Sequence, residues 1–378
     1  MRKRKSKMRV KRKAAFITVF ILLFMSIAFF EASAYEGDEA ISDFIDALPD
    51  DARDKIEPAL KENRVSELLR AEFLLDAVIS CFCGEITSIG SVLCTLLALT
   101  VFFAIASMIK NGIGNESIGK ITDNALLIVS ALAVYTLFSS GLTRVYTYIE
   151  DIKNFQNGLV PIMTGLYFSG GNTATAISAS AGVGAALVMT ENLCAKALPV
   201  LTKVSFALTL IGAVGSDINY SSLCRSVRNL YMTLLSFFTM ILSVSMSFGQ
   251  TLASSSDSVA ARTVKFAIGN MIPVVGGTVN SAYGTLAASL SLIKSTVGAS
   301  SVAALLLITL PVIIYLLLLR LSLNICASGA DMLGCAKIGK LYTDFRTVYD
   351  LALAAVVFCA ILFIIIISLF VKCAWAVS

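Results

Sequence analysis

The chain has 378 residues, of which 57% are hydrophobic and 15% charged; it contains no histidine and carries a formal net charge of +5. A soluble domain carries about 25% charged residues, so this composition and a mean hydropathy of +0.83 exclude an ordinary soluble protein and indicate an integral membrane one. The missing histidine removes the commonest acid/base catalyst and metal ligand. Nine cysteines without a CxxC pair read as small buried hydrophobes, not as a zinc site or a disulfide framework.

Residues 2–13 hold nine Lys/Arg, residues 14–30 form a 17-residue apolar run, and Ala32-Ser33-Ala34 follows as an A-x-A cleavage site. This pattern predicts a signal peptide over 1–34, cleaved after Ala34. The alternative is an uncleaved anchor, since 17 residues is near the lower spanning limit. The nine basic residues and Glu31 give this segment a net +8 of the chain's +5, which leaves −3 for the rest. The basic balance is therefore a targeting signal and implies no nucleic-acid partner.

Residues 35–85 form a separate acidic region, expected outside the cytoplasm. Residues 35–76 alone hold 13 Asp/Glu and five Lys/Arg. Ile41, Phe44, Ile45 and Leu48 share one helical face, and Val65, Leu68, Leu69, Phe73 and Leu74 make a second stripe. Two short amphipathic helices with a turn near Pro58 are predicted, either as a solvated cap or as a docking surface for a partner.

Residues 86–378 read as a polytopic transmembrane domain. Candidate spans are 87–109, 121–142, 172–190, 198–215, 229–249, 266–292, 302–320 and 350–371, each near the ~20 residues a bilayer needs. Spans 172–190 and 198–215 are the weakest and could instead form a re-entrant hairpin. Eight spans entered from outside put both termini outside. Nine loop Lys/Arg then lie inside (Lys110, Lys120, Lys196, Arg262, Lys265, Arg320, Lys337, Lys340, Arg346) and six outside (Arg144, Lys153, Arg225, Arg228, Lys294, Lys372). The fold class expected is all-α, with six to eight transmembrane helices and a broken or re-entrant segment around 266–280.

Few motifs in this domain carry chemistry. Gly114-Asn-Glu-Ser-Ile-Gly119-Lys120-Ile121 nearly matches a P-loop, but Ile121 replaces the Mg²⁺-binding hydroxyl and no nucleotide domain surrounds it. ATP-derived energy would have to come from another subunit. Thr173 to Ala186 is a run of small residues containing Gly182 and Gly184 and preceded by Gly170 and Gly171. Tight helix packing explains it; a narrow polar-lined pathway is the other reading. Lys203 lies inside a span, flanked by Glu191 and Lys196, and must face protein or water or else snorkel to the interface. Asp217, Arg225, Arg228 and Asp257 read as loop charges, with Leu252–Asp257 as a polar turn. With no GxSxG, no HExxH and no paired carboxylates, no enzyme is expected and no cofactor or metal is implied.

The most unusual block is Arg262 to Gly277, with Gly269, Asn270, Pro273, Gly276 and Gly277 within nine residues of an apolar stretch. Gly and Pro free backbone groups that hydrocarbon leaves unsatisfied, so the segment must be buried in protein or line a wet cavity. Lys265, Gly269, Asn270, Pro273, Gly276 and Gly277 are candidate pore or subunit-contact residues.

The signal peptide, the acidic outside region, Ser169-Gly170-Gly171, Arg262-Thr-Val-Lys265-Phe266, Gly269-Asn270-x-Ile272-Pro273-Val274-x-Gly276 and Ser289 to Gly298 together resemble the stage III sporulation protein AE family, in order along the chain. The resemblance implies a membrane subunit of a channel or secretion-like complex linking mother cell and forespore. It also implies a mother-cell membrane location, a separate ATPase subunit and further membrane and intermembrane-space subunits as partners. Composition alone leaves two rivals open, a stand-alone permease and a non-conducting scaffold.

Overall fold

The computed structural model describes residues 38–61, 71–112, 116–169, 172–214, 220–271 and 276–374. Among these the chain is helical throughout, with no strand. The elements are α1 (Asp38–Ala47), α2 (Asp50–Lys61), α3 (Ala71–Gly112), α4 (Glu116–Ser169), α5 (Thr173–Met189), a π segment (Thr190–Lys196), α6 (Ala197–Val214), α7 (Tyr220–Met271), α8 (Gly276–Met332) and α9 (Ala336–Ala374). Among the described residues, six helical stretches are long and apolar enough to cross a membrane: Leu75–Ile109, Asn124–Ser169, Thr173–Gly212, Ser222–Ala260, Thr296–Met332 and Ala336–Val371. The fold is thus the expected all-α polytopic one, at the low end of the expected span range.

Three expectations are corrected. Spans 172–190 and 198–215 are halves of one continuous helix, neither two crossings nor a hairpin. The charged interval between them, Glu191 to Lys196, is absorbed by the wider turns of the π segment, and α4 supplies its counter-charge. The turn of the N-terminal hairpin is at Leu48-Pro49, and Pro58 lies inside α2. Proline disfavours a helical residue before it and suits a helix start; here the Pro49 carbonyl accepts the N–H groups of Ala52 and Arg53, both at 3.0 Å. Finally, residues 252–257 are helical within α7, where Ser255 returns its hydroxyl proton to the Thr251 carbonyl at 2.8 Å.

The helices far outreach a bilayer. α4, α7 and α8 have 54, 52 and 57 residues, or about 80 Å each at 1.5 Å per residue, against roughly 30 Å of hydrocarbon. α8 and α9 form the centre: 61% and 56% of their most apolar windows are buried, against 22–29% in the other four spans. A helix apolar on all sides must be enclosed, and Leu351, Ala355, Val356, Cys359, Leu362 and Phe363 of α9 are fully enclosed. Aromatic rings tie α9 to α4: Phe155 stacks on Phe363 at 5.0 Å and Tyr167 meets Phe370 edge-on at 5.4 Å.

The α1–α2 hairpin is docked on this bundle. Phe44, Leu48, Ala52, Ile56 and Leu60 are buried, while Asp43, Asp46, Asp50 and Asp54 stay exposed. The Phe44 ring lies 6.0 Å from that of Phe155. Gly158 admits the hairpin, since a Cβ there would fall 2.6 Å from the Ala47 Cβ. The hairpin thus covers the α4 surface around Phe155 and Gly158 and turns outward an acidic face that hydrocarbon disfavours.

Candidate functional site

The helices carry a belt of three charged clusters, which on α4 alone runs from Arg144 to Lys153, about 13 Å of helix axis. It lies just past the point where the first apolar run of α4 ends, at Leu142. On α4, Arg144 donates through Nη1 to both carboxylate oxygens of Glu85 on α3, each at 2.9 Å. Its guanidinium also lies 4.6 Å from the centroid of the Tyr315 ring on α8, a cation–π contact. Gly141, one turn earlier, leaves room for that ring, because a Cβ there would sit 2.8 Å from the Tyr315 Oη.

A second group joins α4 to the π segment. Glu191 takes Lys153 at 3.2 Å and Lys196 at 3.4 Å, and Lys153 also reaches Glu150 at 3.5 Å. Beside it the Tyr231 hydroxyl of α7 donates to the Leu193 carbonyl within the π segment, at 2.9 Å. A third group is the most enclosed. Asp350 on α9, with a side chain 6% exposed, accepts from Arg228 of α7 at 2.7 Å and faces Arg320 of α8 at 3.3 Å. Arg228 also donates to the Asn229 side chain at 3.2 Å, and Arg346 donates to Asn324. A charge in an apolar span is costly unless it is paired; each of the three clusters pairs its carboxylate, although Arg228 Nε and Asp350 Oδ1 are buried without a hydrogen-bond partner.

The belt overturns the charge tally read from eight spans. That tally placed Lys153 outside and Lys196 inside, yet both pair with Glu191. It placed Arg228 outside and Arg320 inside, yet both pair with Asp350. Hydropathy windows set boundaries where these helices do not end. Arg228 and Asp257, read as loop charges, belong to the interior of α7. Asp257 is buried, and its two oxygens accept the N–H groups of Ala174 (3.0 Å) and Thr175 (2.8 Å). It thereby caps the first turn of α5, whose N-cap residue Asn172 makes no side-chain cap bond. An acidic residue inside a long helical stretch was the available signal for it.

The residues singled out from sequence do not converge on the belt. Lys265, Gly269 and Asn270 lie in the last turns of α7, and Gly276 and Gly277 open α8. Pro273, Gly170, Gly171, Ala32 and Ala34 fall outside the described residues, as do Gly114 and Asp217. Gly182 meets α7 closely, since a Cβ there would lie 2.8 Å from the Met246 Cε, whereas Gly184 opens on empty space. Gly249 of α7 likewise meets the Ser178 hydroxyl, at 2.9 Å from a built Cβ. The small-residue run therefore lies tightly against α7 along one face.

Among the described residues, six apolar helices, a buried central pair and ion pairs between helices define a multi-pass, all-helical membrane protein. The family model described as stage III sporulation protein AE matches residues 55–374, and the chain belongs to that sporulation family. It is similar to the stage III sporulation protein AE of Bacillus subtilis (strain 168), with 25% identity over 234 residues. That alignment covers 62% of this chain and 59% of the relative, less than two thirds of its length. No solved structure matches the chain.

Proposed function

We propose that this chain is a membrane subunit of the complex that links mother cell and forespore, supporting late forespore gene expression after engulfment. It resides in the mother-cell membrane surrounding the forespore. It is not an enzyme, and a separate ATPase subunit supplies energy. The observation that carries this reading is the family match over residues 55–374. The geometry supports it: helices of about 80 Å and a docked acidic hairpin give the chain a substantial surface beyond the bilayer, where other subunits can bind. With its apolar face spent on the bundle and Asp46 paired with Arg53, the hairpin offers Asp43, Asp50 and Asp54 outward, a surface suited to a basic partner.

A stand-alone permease is the second reading. The ion pairs of the belt favour it, because intramembrane charge pairs are what a transporter requires. The test is a deletion in the native spore former, scored for engulfment and for late forespore gene expression. Arrest after engulfment, rescued by the wild-type chain, supports the complex subunit. Normal sporulation refutes it and leaves the permease. A scaffold that conducts nothing is separated from a pathway by cysteine accessibility across 262–280: a periodic labelled face marks a pathway, and uniform protection marks a scaffold.

A further inference from the structure

In the three clusters Arg144, Lys153, Lys196, Arg228 and Arg320 each pair with a carboxylate. Lys203 of α6 is exposed within an apolar span and makes no ion pair among the described residues. It stands at the edge of a groove of roughly 160 Å³ between α4, α6 and α9. The groove walls are largely aromatic and aliphatic: Tyr135, Leu142, Phe206, Phe345, Val348 and Tyr349. Two ring contacts hold the shape, Tyr135 to Phe206 at 4.2 Å and Phe206 to Phe345 at 5.5 Å. The polar end is fixed too. Tyr146 bonds the Thr202 hydroxyl at 2.8 Å, and Thr202 donates onward to the Pro199 carbonyl at 3.0 Å.

Position along the bundle identifies the environment. Thr202 contacts Tyr146, so Lys203 stands one turn past Leu142, where the apolar run of α4 gives way to Arg144. An apolar run giving way to charge is the pattern of a hydrocarbon–headgroup boundary, where tyrosine is favoured. An unpaired ammonium at that level, above an apolar groove open to the bilayer, matches an anionic amphiphile. The phosphate would sit on Lys203 and one acyl chain in the groove. A zwitterionic lipid satisfies the groove but brings its own cation to the ammonium.

We propose that Lys203 and the groove of Tyr135, Leu142, Phe206, Phe345, Val348 and Tyr349 form a binding site for an anionic phospholipid. The test is native mass spectrometry of the full chain, purified in mild detergent and equilibrated with equal phosphatidylglycerol and phosphatidylcholine. Wild type retains phosphatidylglycerol preferentially. Lys203→Gln lowers that retention about tenfold, the loss of one charge-assisted contact, and Lys203→Arg keeps it. Ser139→Phe, which fills the groove from α4, lowers retention with Lys203 intact. Unchanged retention in K203Q overturns the proposal, and so does equal retention of both lipids. Displacement by millimolar inorganic phosphate alone also overturns it, since the acyl chain would then contribute nothing.

Discussion

Asp350 is the charge on which the centre of the bundle turns, and its removal should be costly in an ordered way. Its carboxylate is 6% exposed, while the side chains of Arg228 and Arg320 are 22% and 41% exposed. Breaking a buried ion pair by deleting one partner costs about 3–5 kcal/mol, whereas an exposed pair is worth roughly 0–1 kcal/mol. Asp350→Ala strands Arg228 with only Asn229 as partner, and its partial exposure brings the expected loss to about 2–4 kcal/mol. Arg228→Gln should cost about 2–3 kcal/mol, and Arg320→Gln less than about 1 kcal/mol. Replacing both members, as in Arg228→Leu with Asp350→Leu, should recover much of the loss, because an apolar pair leaves no buried charge. The assay is unfolding of the purified protein in detergent, arranged as double-mutant cycles on each arginine. An Arg320→Gln loss equal to that of Arg228→Gln, or an unperturbed Asp350→Ala, would refute the reasoning.

Further outcomes follow from the same geometry. Phe44→Ala removes a fully buried ring from the hairpin interface, at about 3–5 kcal/mol; limited proteolysis should then cut α1 and α2 while leaving α8 and α9 intact. Asp257→Ala exposes the N–H groups of Ala174 and Thr175 at a cost of about 1–2 kcal/mol, and hydrogen exchange at those two amides should accelerate ahead of the rest of α5. Gly182→Leu must displace Met246 and should destabilise by about 1–3 kcal/mol. Gly184→Leu, facing empty space, should leave the melting temperature unchanged in the same assay. Leucine at Gly269, Pro273 and Gly276 together should abolish sporulation if that block is a working segment; normal spore yield would remove it from the account.

The helical class was legible because apolar residues dominate nearly every stretch, a signal that survives errors in boundaries. The number of crossings was less legible, and residues 173–212 show why. Glu191 and Lys196 interrupt the apolar pattern, but Lys153, some 40 positions earlier, neutralises the interruption and lets the helix continue. Hydropathy averages over neighbours in sequence, and counter-charges are neighbours in space. The same limit hid Asp257: a carboxylate in a serine-rich stretch resembles a turn until the start of α5 arrives beside it. The Ile41, Phe44, Ile45 and Leu48 stripe correctly marked an amphipathic helix, though not that its apolar face would close on Phe155 of the same chain. Lys203 was visible as an odd charge, while the groove beside it needed α9, more than 140 residues away, to form its far wall.

The central claim is that this chain works as one subunit of a larger sporulation assembly. The direct measurement is affinity purification of the tagged chain from sporulating cells at the end of engulfment, in mild detergent, followed by mass determination and identification of what comigrates. The account predicts a high-mass particle containing other membrane subunits and an ATPase, lost when Phe44→Asp releases the acidic hairpin. A chain that elutes alone or only with lipid, from cells that sporulate normally, would contradict it.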